Sequence, residues 1–94
     1  MTYEKYFFSI IIPVYNTKNY LDQCIKSVIN QKFKNIQLIL INDCSTDGSK
    51  EICEKYKKKF DLILINHKKI LGTAISRNEG LKLAKGKYII FRGW

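Results

Sequence analysis

FFSIIIPV, residues 7–14, is a nearly continuous apolar run rich in isoleucine, and it gives way to the polar stretch Tyr15-Asn16-Thr17. Ile36 to Ile41 (IQLILI), Leu62 to Ile65 and Tyr88 to Phe91 have the same character. Short aliphatic runs without polar alternation read as parallel strands covered on both faces. Between the first two runs, Tyr20, Leu21, Cys24, Ile25, Val28 and Ile29 recur at helical spacing, with Asp22, Gln23, Lys26 and Ser27 opposite them. That pattern predicts an amphipathic helix. A second helix starts in Ser45-Thr46-Asp47-Gly48, a cluster of N-cap residue types, and aligns Ile52, Cys53, Tyr56 and Phe60 on one face. It closes on Lys55 and Lys57 to Lys59, the charge that a helix C-terminus favours. A third helix spans about Ala74 to Ala84, with Gly86 as its stop. Gly80 is its weak point, because a mid-helix glycine costs about 1 kcal/mol relative to alanine.

Strand and helix alternate throughout, so the fold class is α/β: an open, doubly wound parallel sheet of about four strands with helices on both faces. A chain of 94 residues supports one core, and residues 1–94 are read as a single domain. Its 46% hydrophobic and 13% aromatic content is that of a chain that packs, which excludes disorder. The leading apolar run is interrupted by Ser9 and ended by Pro13, too short for a membrane span and without a signal peptide's cleavage site. No membrane span and a cytoplasmic location are therefore expected. Cys24, Cys44 and Cys53 are odd in number and form no Cys-x-x-Cys pair, and they read as reduced thiols without disulfide or zinc.

Seventeen basic against eight acidic residues give a formal charge of +9. Such an excess points toward an anionic partner. The basic residues are scattered, however, and only Arg77 and Arg92 offer the planar fork that phosphate or base recognition favours. A solvated surface is the expectation, with no nucleic-acid partner.

In doubly wound sheets ligands bind beyond the carboxyl ends of the strands, near the point where strand order reverses. Three segments reach that edge here: Pro13, Tyr15 and Asn16 after the first strand, Asn42 to Ser49 with Asp43 and Ser45 after the second, and Ser76-Arg77-Asn78 in the third connection. A tyrosine stacks on a base, a carboxylate accepts an imino proton, and an arginine meets phosphate or a base carbonyl. The expectation is a nucleotide pocket. No Gly-x-Gly-x-x-Gly follows the first strand and no Walker-type Gly-Lys-Ser/Thr occurs, which disfavours dinucleotide oxidoreductases and P-loop enzymes. Taken singly, Pro13 ends a strand, Asp43 and Asp47 are turn or cap residues, and Arg77 sits in a surface ion pair. His67, after Asn66 at the end of the third strand, reads as a loop histidine and receives no role.

Together these segments resemble the family-2 glycosyltransferases, whose fold is that of nucleotide-diphosphosugar transferases. Ser9 to Asn16 is similar to their opening strand and loop, and Asn42-Asp43-Cys44-Ser45-Thr46-Asp47-Gly48-Ser49 to their Asp-Asp-Gly-Ser-Thr-Asp loop. Gly72 to Leu81, followed by Ala84, Gly86 and Tyr88 to Phe91, resembles their third motif in order and spacing. The resemblance covers nearly the whole chain. It implies a Rossmann-like nucleotide-binding half and an inverting transferase that moves a sugar from a nucleotide donor, with UDP-sugar favoured, to a saccharide or lipid acceptor of the cell envelope. It also implies that the first loop walls the nucleotide, that Asp43 holds the base and that Arg77 binds the nucleotide.

Asn42, Cys44, Ile70 and Ser76 depart from the family pattern without removing the pocket. A larger departure follows Tyr88 to Phe91. There the family continues with apolar-Asp-x-Asp, carboxylates that hold Mg or Mn in complete relatives, whereas this chain reads Arg92-Gly93-Trp94. The expectation is a truncated nucleotide-binding portion with no catalytic residue, no metal ligand and no cofactor of its own, inactive alone. Codons for Phe-Arg-Gly-Trp and a stop can be chosen so that deleting one T restores Phe-Val-Asp-Gly, which makes a one-base insertion a further expectation, checked by sequencing the gene. The alternative is a non-catalytic nucleotide- or polyanion-binding module. Tyr88 to Phe91, internal in complete relatives, is expected to lie at an exposed edge and to promote homo-oligomers.

Overall fold

The computed structural model describes residues 6–31 and 35–93; Met1 to Lys5 and Trp94 lie outside them. Four strands, β1 (Phe8–Val14), β2 (Ile36–Asn42), β3 (Ile63–Asn66) and β4 (Tyr88–Phe91), alternate with three helices, α1 (Lys18–Ile29), α2 (Ser49–Lys59) and α3 (Thr73–Leu83). All pairings are parallel, in the order β3-β2-β1-β4. The chain winds outward from β1 to β3, then crosses back so that α3 delivers β4 to the other side of β1. Strand order therefore reverses between β1 and β4.

The sheet separates two apolar layers, as the side-chain alternation of a strand requires. Ile10, Ile12 and Val14 with Leu38 and Leu40 point to one face and pack against Leu21, Cys24, Ile25 and Val28 of α1 and Cys53 and Tyr56 of α2. Ile11, Ile39 and Ile41 point to the other, where Leu83 and Ala84 at the end of α3 cover them. Helices on both faces match the sequence reading. β1 and β2 are sandwiched, and this explains their unbroken apolar character.

β4 lies at the edge of the sheet with all four of its residues exposed, as expected for Tyr88 to Phe91, and not covered on both faces as its apolar run alone suggests. It pairs with β1 alone, and the Arg77 side chain of α3 reaches only its last residue, Phe91. β3, at the other edge, is only half-buried.

Two glycines have packing reasons. Gly80 is buried where α3 crosses β1, and a Cβ there would stand 2.5 Å from Cγ2 of Ile11. At Gly86 a Cβ would stand 2.6 Å from the backbone nitrogen of Ser9. The approach at Gly86 is held by a buried polar group. Ser9 Oγ donates to Gln37 Oε1 (2.6 Å), Lys85 N donates to the same oxygen (2.8 Å), Gly86 N donates to Ser9 Oγ (2.8 Å), and Gln37 Nε2 donates to the carbonyl of Leu83 (3.2 Å). Buried polar groups must be paired. These bonds fix the level at which β4 starts.

α2 differs from the expected capping. Its N-cap is Gly48, in the left-handed region at φ 102°, with no side-chain cap. Asp47 instead links two helices: Oδ1 accepts from Ser49 N (3.0 Å) and Ser49 Oγ (2.6 Å), while Oδ2 accepts from Lys18 N (3.0 Å) at the start of α1.

Candidate functional site

A cleft of about 500 Å³ opens at the carboxyl ends of the strands, beside the β1/β4 reversal. Its size falls in the range of small-molecule sites. β1 and its loop supply Pro13, Val14, Tyr15 and Thr17, and the turn after β2 supplies Asp43; α3 adds Thr73, Ser76 and Arg77, and the end of β4 adds Phe91, Arg92 and Gly93. Four of the expected residues thus converge on one cavity: Pro13, Tyr15, Asp43 and Arg77. Tyr15 and Arg77 are exposed to the cleft's mouth, and the Arg77 guanidinium carbon lies 5.4 Å from the centre of the Phe91 ring.

Asn16 and Ser45 do not line the cleft. They pin the first loop to the second: Asn16 N donates to Ser45 Oγ (3.0 Å), and Thr46 N donates to Asn16 Oδ1 (2.8 Å). Asn16 adopts φ 49°, a region that asparagine tolerates better than most residues. Asn78 is exposed on α3 beside Arg77 and outside the cleft lining.

Asp43 is the buried charge of the site, its side chain 6% exposed. Oδ1 accepts hydrogen bonds from His67 Nδ1 (2.8 Å) and Leu71 N (2.8 Å), and Oδ2 accepts one from Gly72 N (2.9 Å). Burial pushes its pKa up, yet these three donors outweigh burial and hold the carboxyl below the ordinary value. A carboxylate offers about four lone-pair sites. One acceptor position, on Oδ2, is left for a ligand.

His67 is not a free loop residue. Its side chain is also 6% exposed, and its ring bridges two carboxylates, Nδ1 to Asp43 Oδ1 (2.8 Å) and Nε2 to Glu79 Oε1 (2.5 Å). A neutral imidazole has a single N–H, whereas ionised carboxylates only accept, so two such bonds require the imidazolium. Burial alone would push the His67 pKa down; the bonds to Asp43 and Glu79 prevail and raise it.

Sequence reasoning missed His67 because isolated histidines in loops are common. The signal that would have found it is register. Asn42 of β2 sits opposite Asn66 of β3, and their side chains hydrogen bond at 2.8 Å. The next residues, Asp43 and His67, therefore emerge side by side. Thr73 was missed as well, since its place in the cleft follows from how α3 begins.

The resemblance implies Mg or Mn for complete relatives, but the residues present do not fit such an ion. Among the described residues, no group of three or more His, Cys, Asp or Glu could hold one. The end of β4 presents Arg92 and Gly93, a cation and a residue without a side chain, and Asp43, already accepting three hydrogen bonds, is the one described carboxylate lining the cleft.

Comparison with known proteins identifies the family and the fold. A family model described as Glycosyl transferase family 2 matches residues 9–92. The minor teichoic acid biosynthesis protein GgaB of Bacillus subtilis (strain 168) is 49% identical over 89 residues, which is 92% of this chain and 10% of that protein. The cholesterol galactosyltransferase of Borreliella burgdorferi (strain ATCC 35210 / DSM 4680 / CIP 102532 / B31) is 45% identical over 88 residues, 94% of this chain and 25% of that protein. The crystal structure of S. aureus TarS 1-349 in complex with UDP-GlcNAc superimposes with a TM-score of 0.81 at 33% identity, covering 90% of this chain and 25% of that one. The chain thus spans a quarter or less of the length of these relatives.

Proposed function

Since this chain belongs to glycosyl transferase family 2, we propose that it forms the nucleotide half-site of a sugar-nucleotide-dependent glycosyltransferase, with a UDP-sugar as ligand. The observation that carries this reading is the convergence of Tyr15, Asp43 and Arg77 on one cleft at the β1/β4 reversal. Pro13 and Tyr15 wall the base, the open acceptor position on Asp43 takes its imino N–H, and Arg77 faces the diphosphate. Asn16 and Ser45 hold the two loops at the right separation, and Asn78 flanks Arg77. TarS, a relative with the same fold at 33% identity, has been solved with UDP-GlcNAc, which supports a uridine nucleotide here.

Transfer itself is proposed for a longer chain of the kind found in the relatives: a deprotonated acceptor hydroxyl on a saccharide or lipid attacks the anomeric carbon opposite the leaving diphosphate, with inversion. For these 94 residues alone the proposal is binding without turnover, because Asp43, the one described carboxylate lining the cleft, is committed to His67, Leu71, Gly72 and the base, and no described residues form a metal set. A cytoplasmic location belongs to this reading and is supported by three unpaired cysteines. No helix among the described residues is long and apolar enough to cross a membrane. Self-association through the exposed residues of β4 is also part of the proposal.

Calorimetric or NMR titration with UDP tests the reading, with CDP and single-stranded DNA as controls. UDP binding that weakens in Asp43→Ala and Arg77→Ala supports it. Salt-sensitive DNA binding without UDP binding would replace it with the polyanion module that the +9 charge favours.

A further inference from the structure

The nucleotide-binding groups proposed above stand on different elements. Asp43 follows β2, whereas Arg77 is on α3, and a nucleotide spanning both needs them at a fixed separation. Glu79 lies on α3 two residues beyond Arg77, and its carboxylate meets the His67 ring whose other nitrogen meets Asp43. We propose that His67 and Glu79 are positioning residues of the nucleotide subsite: the Glu79–His67–Asp43 bridge, complete only while the imidazole carries both protons, ties the helix bearing Arg77 to the base-facing carboxylate of Asp43. The inference rests on the nucleotide reading and adds to it a pH-sensitive coupling of its two halves.

The groups around the ring make it dependent on that proton. Asp43 from the loop after β2 and Glu79 from α3 face it, and when ionised both can only accept. Lys68 and Lys69 follow in the loop and are exposed, and Cys44 gives its thiol to the Lys68 carbonyl at 3.7 Å. When the imidazole loses a proton, one nitrogen presents a lone pair to a carboxylate, and that contact turns repulsive. Glu79, 36% exposed against 6% for Asp43, is the partner that can leave for water. The bridge then opens on the α3 side. Asp43 keeps its amide donors, and the helix carrying Arg77 loses its polar tie to the base subsite.

Substitutions separate this role from a merely structural one. A glutamine at position 79 can accept from a charged ring or donate to a neutral one, so it keeps the tie in both states, whereas alanine keeps it in neither. UDP affinity of the 94-residue chain is measured by calorimetry from about pH 5.5 to 8.5, a window that brackets histidine titration, for the wild type, Glu79→Gln, Glu79→Ala and His67→Asn. NMR of the His67 ring follows its protonation in parallel. The wild type should lose affinity several-fold as the ring deprotonates, Glu79→Gln should lose little over the same range, and Glu79→Ala should bind as weakly at low pH as the wild type does at high pH. His67→Asn keeps a donor toward Asp43 but not the link to α3, and it should behave like Glu79→Ala. Titration of the ligand's own phosphates is common to all four profiles and cancels in their ratios. Parallel profiles for wild type and Glu79→Gln, with UDP bound, would overturn the coupling and leave the nucleotide reading standing. No UDP binding by the wild type at any pH would overturn the nucleotide reading and the coupling with it.

Discussion

Replacing Gly80 by alanine separates helix propensity from packing, because the two predict opposite signs. On propensity alone, alanine within α3 should stabilise the helix by about 1 kcal/mol. The added methyl, however, would sit 2.5 Å from Cγ2, 3.1 Å from Cδ1 and 3.2 Å from Cγ1 of Ile11. Carbon pairs are comfortable at about 3.5 to 4.0 Å, so the nearest contact is short by at least about 1 Å. Ile11 cannot step aside easily: it is fully buried, β-branched, and packed among Ile39 and Ile41. Overpacking of this kind costs about 1 to 3 kcal/mol. A clash this short belongs in the upper part of that range, so the net effect of Gly80→Ala is a destabilisation of about 1 to 2 kcal/mol. For a domain this small, each kcal/mol moves Tm by about 4 to 8 °C, which gives a fall of roughly 5 to 15 °C by circular dichroism or calorimetry. Displacement of α3 would also carry Ser76 and Arg77 away from the cleft, so UDP affinity should fall with it. A Tm equal to or above the wild type would refute the packing argument and mean that α3 does not approach β1 as closely as described.

Further outcomes follow from the same contacts. The folded-state pKa of His67 is raised above its ordinary 6.5, so its contribution to stability is fully present below about pH 6.5 and is lost as pH rises through the raised value. Thermal melts should show that decline in the wild type and not in His67→Asn. Asp47 works in the opposite direction: burial pushes its pKa up, but the bonds from Ser49 and Lys18 outweigh this and lower it below the ordinary 3.8. Its contribution is present above about pH 3.8 and lost as pH falls through the lowered value, so acid unfolding should begin at higher pH in Asp47→Asn, read by circular dichroism. The exposed β4 should promote association: sedimentation velocity should show concentration-dependent dimers or larger species that Ile90→Lys reduces, whereas a monomer at all concentrations would remove the proposal.

The strands and helices were legible because β1 and β2 are covered on both sides, and full coverage leaves an unbroken apolar run in the sequence. At β4 that logic alone would have implied coverage, and only the comparison with the family pattern led to the exposed edge that the sheet shows. Tyr88 to Phe91 has an equally apolar run, but coverage depends on what lies beyond the strand laterally, and local composition carries no record of that. Gly80 weakened the reading of α3 for the reason that makes it necessary, since its missing side chain lets the helix meet Ile11. Pro13, Tyr15, Asp43 and Arg77 could be picked out by chemistry plus their place at strand ends. The partner of Asp43 could not, because His67 reaches it only through the lateral register of β2 and β3, set by Asn42 opposite Asn66. The Asn16 and Ser45 contact was likewise hidden: their residue types suggested ligand contacts, and the fold uses them to fasten one loop to another.

The central claim is that the cleft at the β1/β4 reversal binds a uridine nucleotide through Asp43 and Arg77. An NMR titration of the isotope-labelled chain with UDP tests it most directly, because shifts report both affinity and place. The account predicts saturable changes at Tyr15, Asp43, Leu71, Gly72 and Arg77, weakened in Asp43→Ala and Arg77→Ala. Saturable changes elsewhere on the surface, or none at those residues, would contradict it.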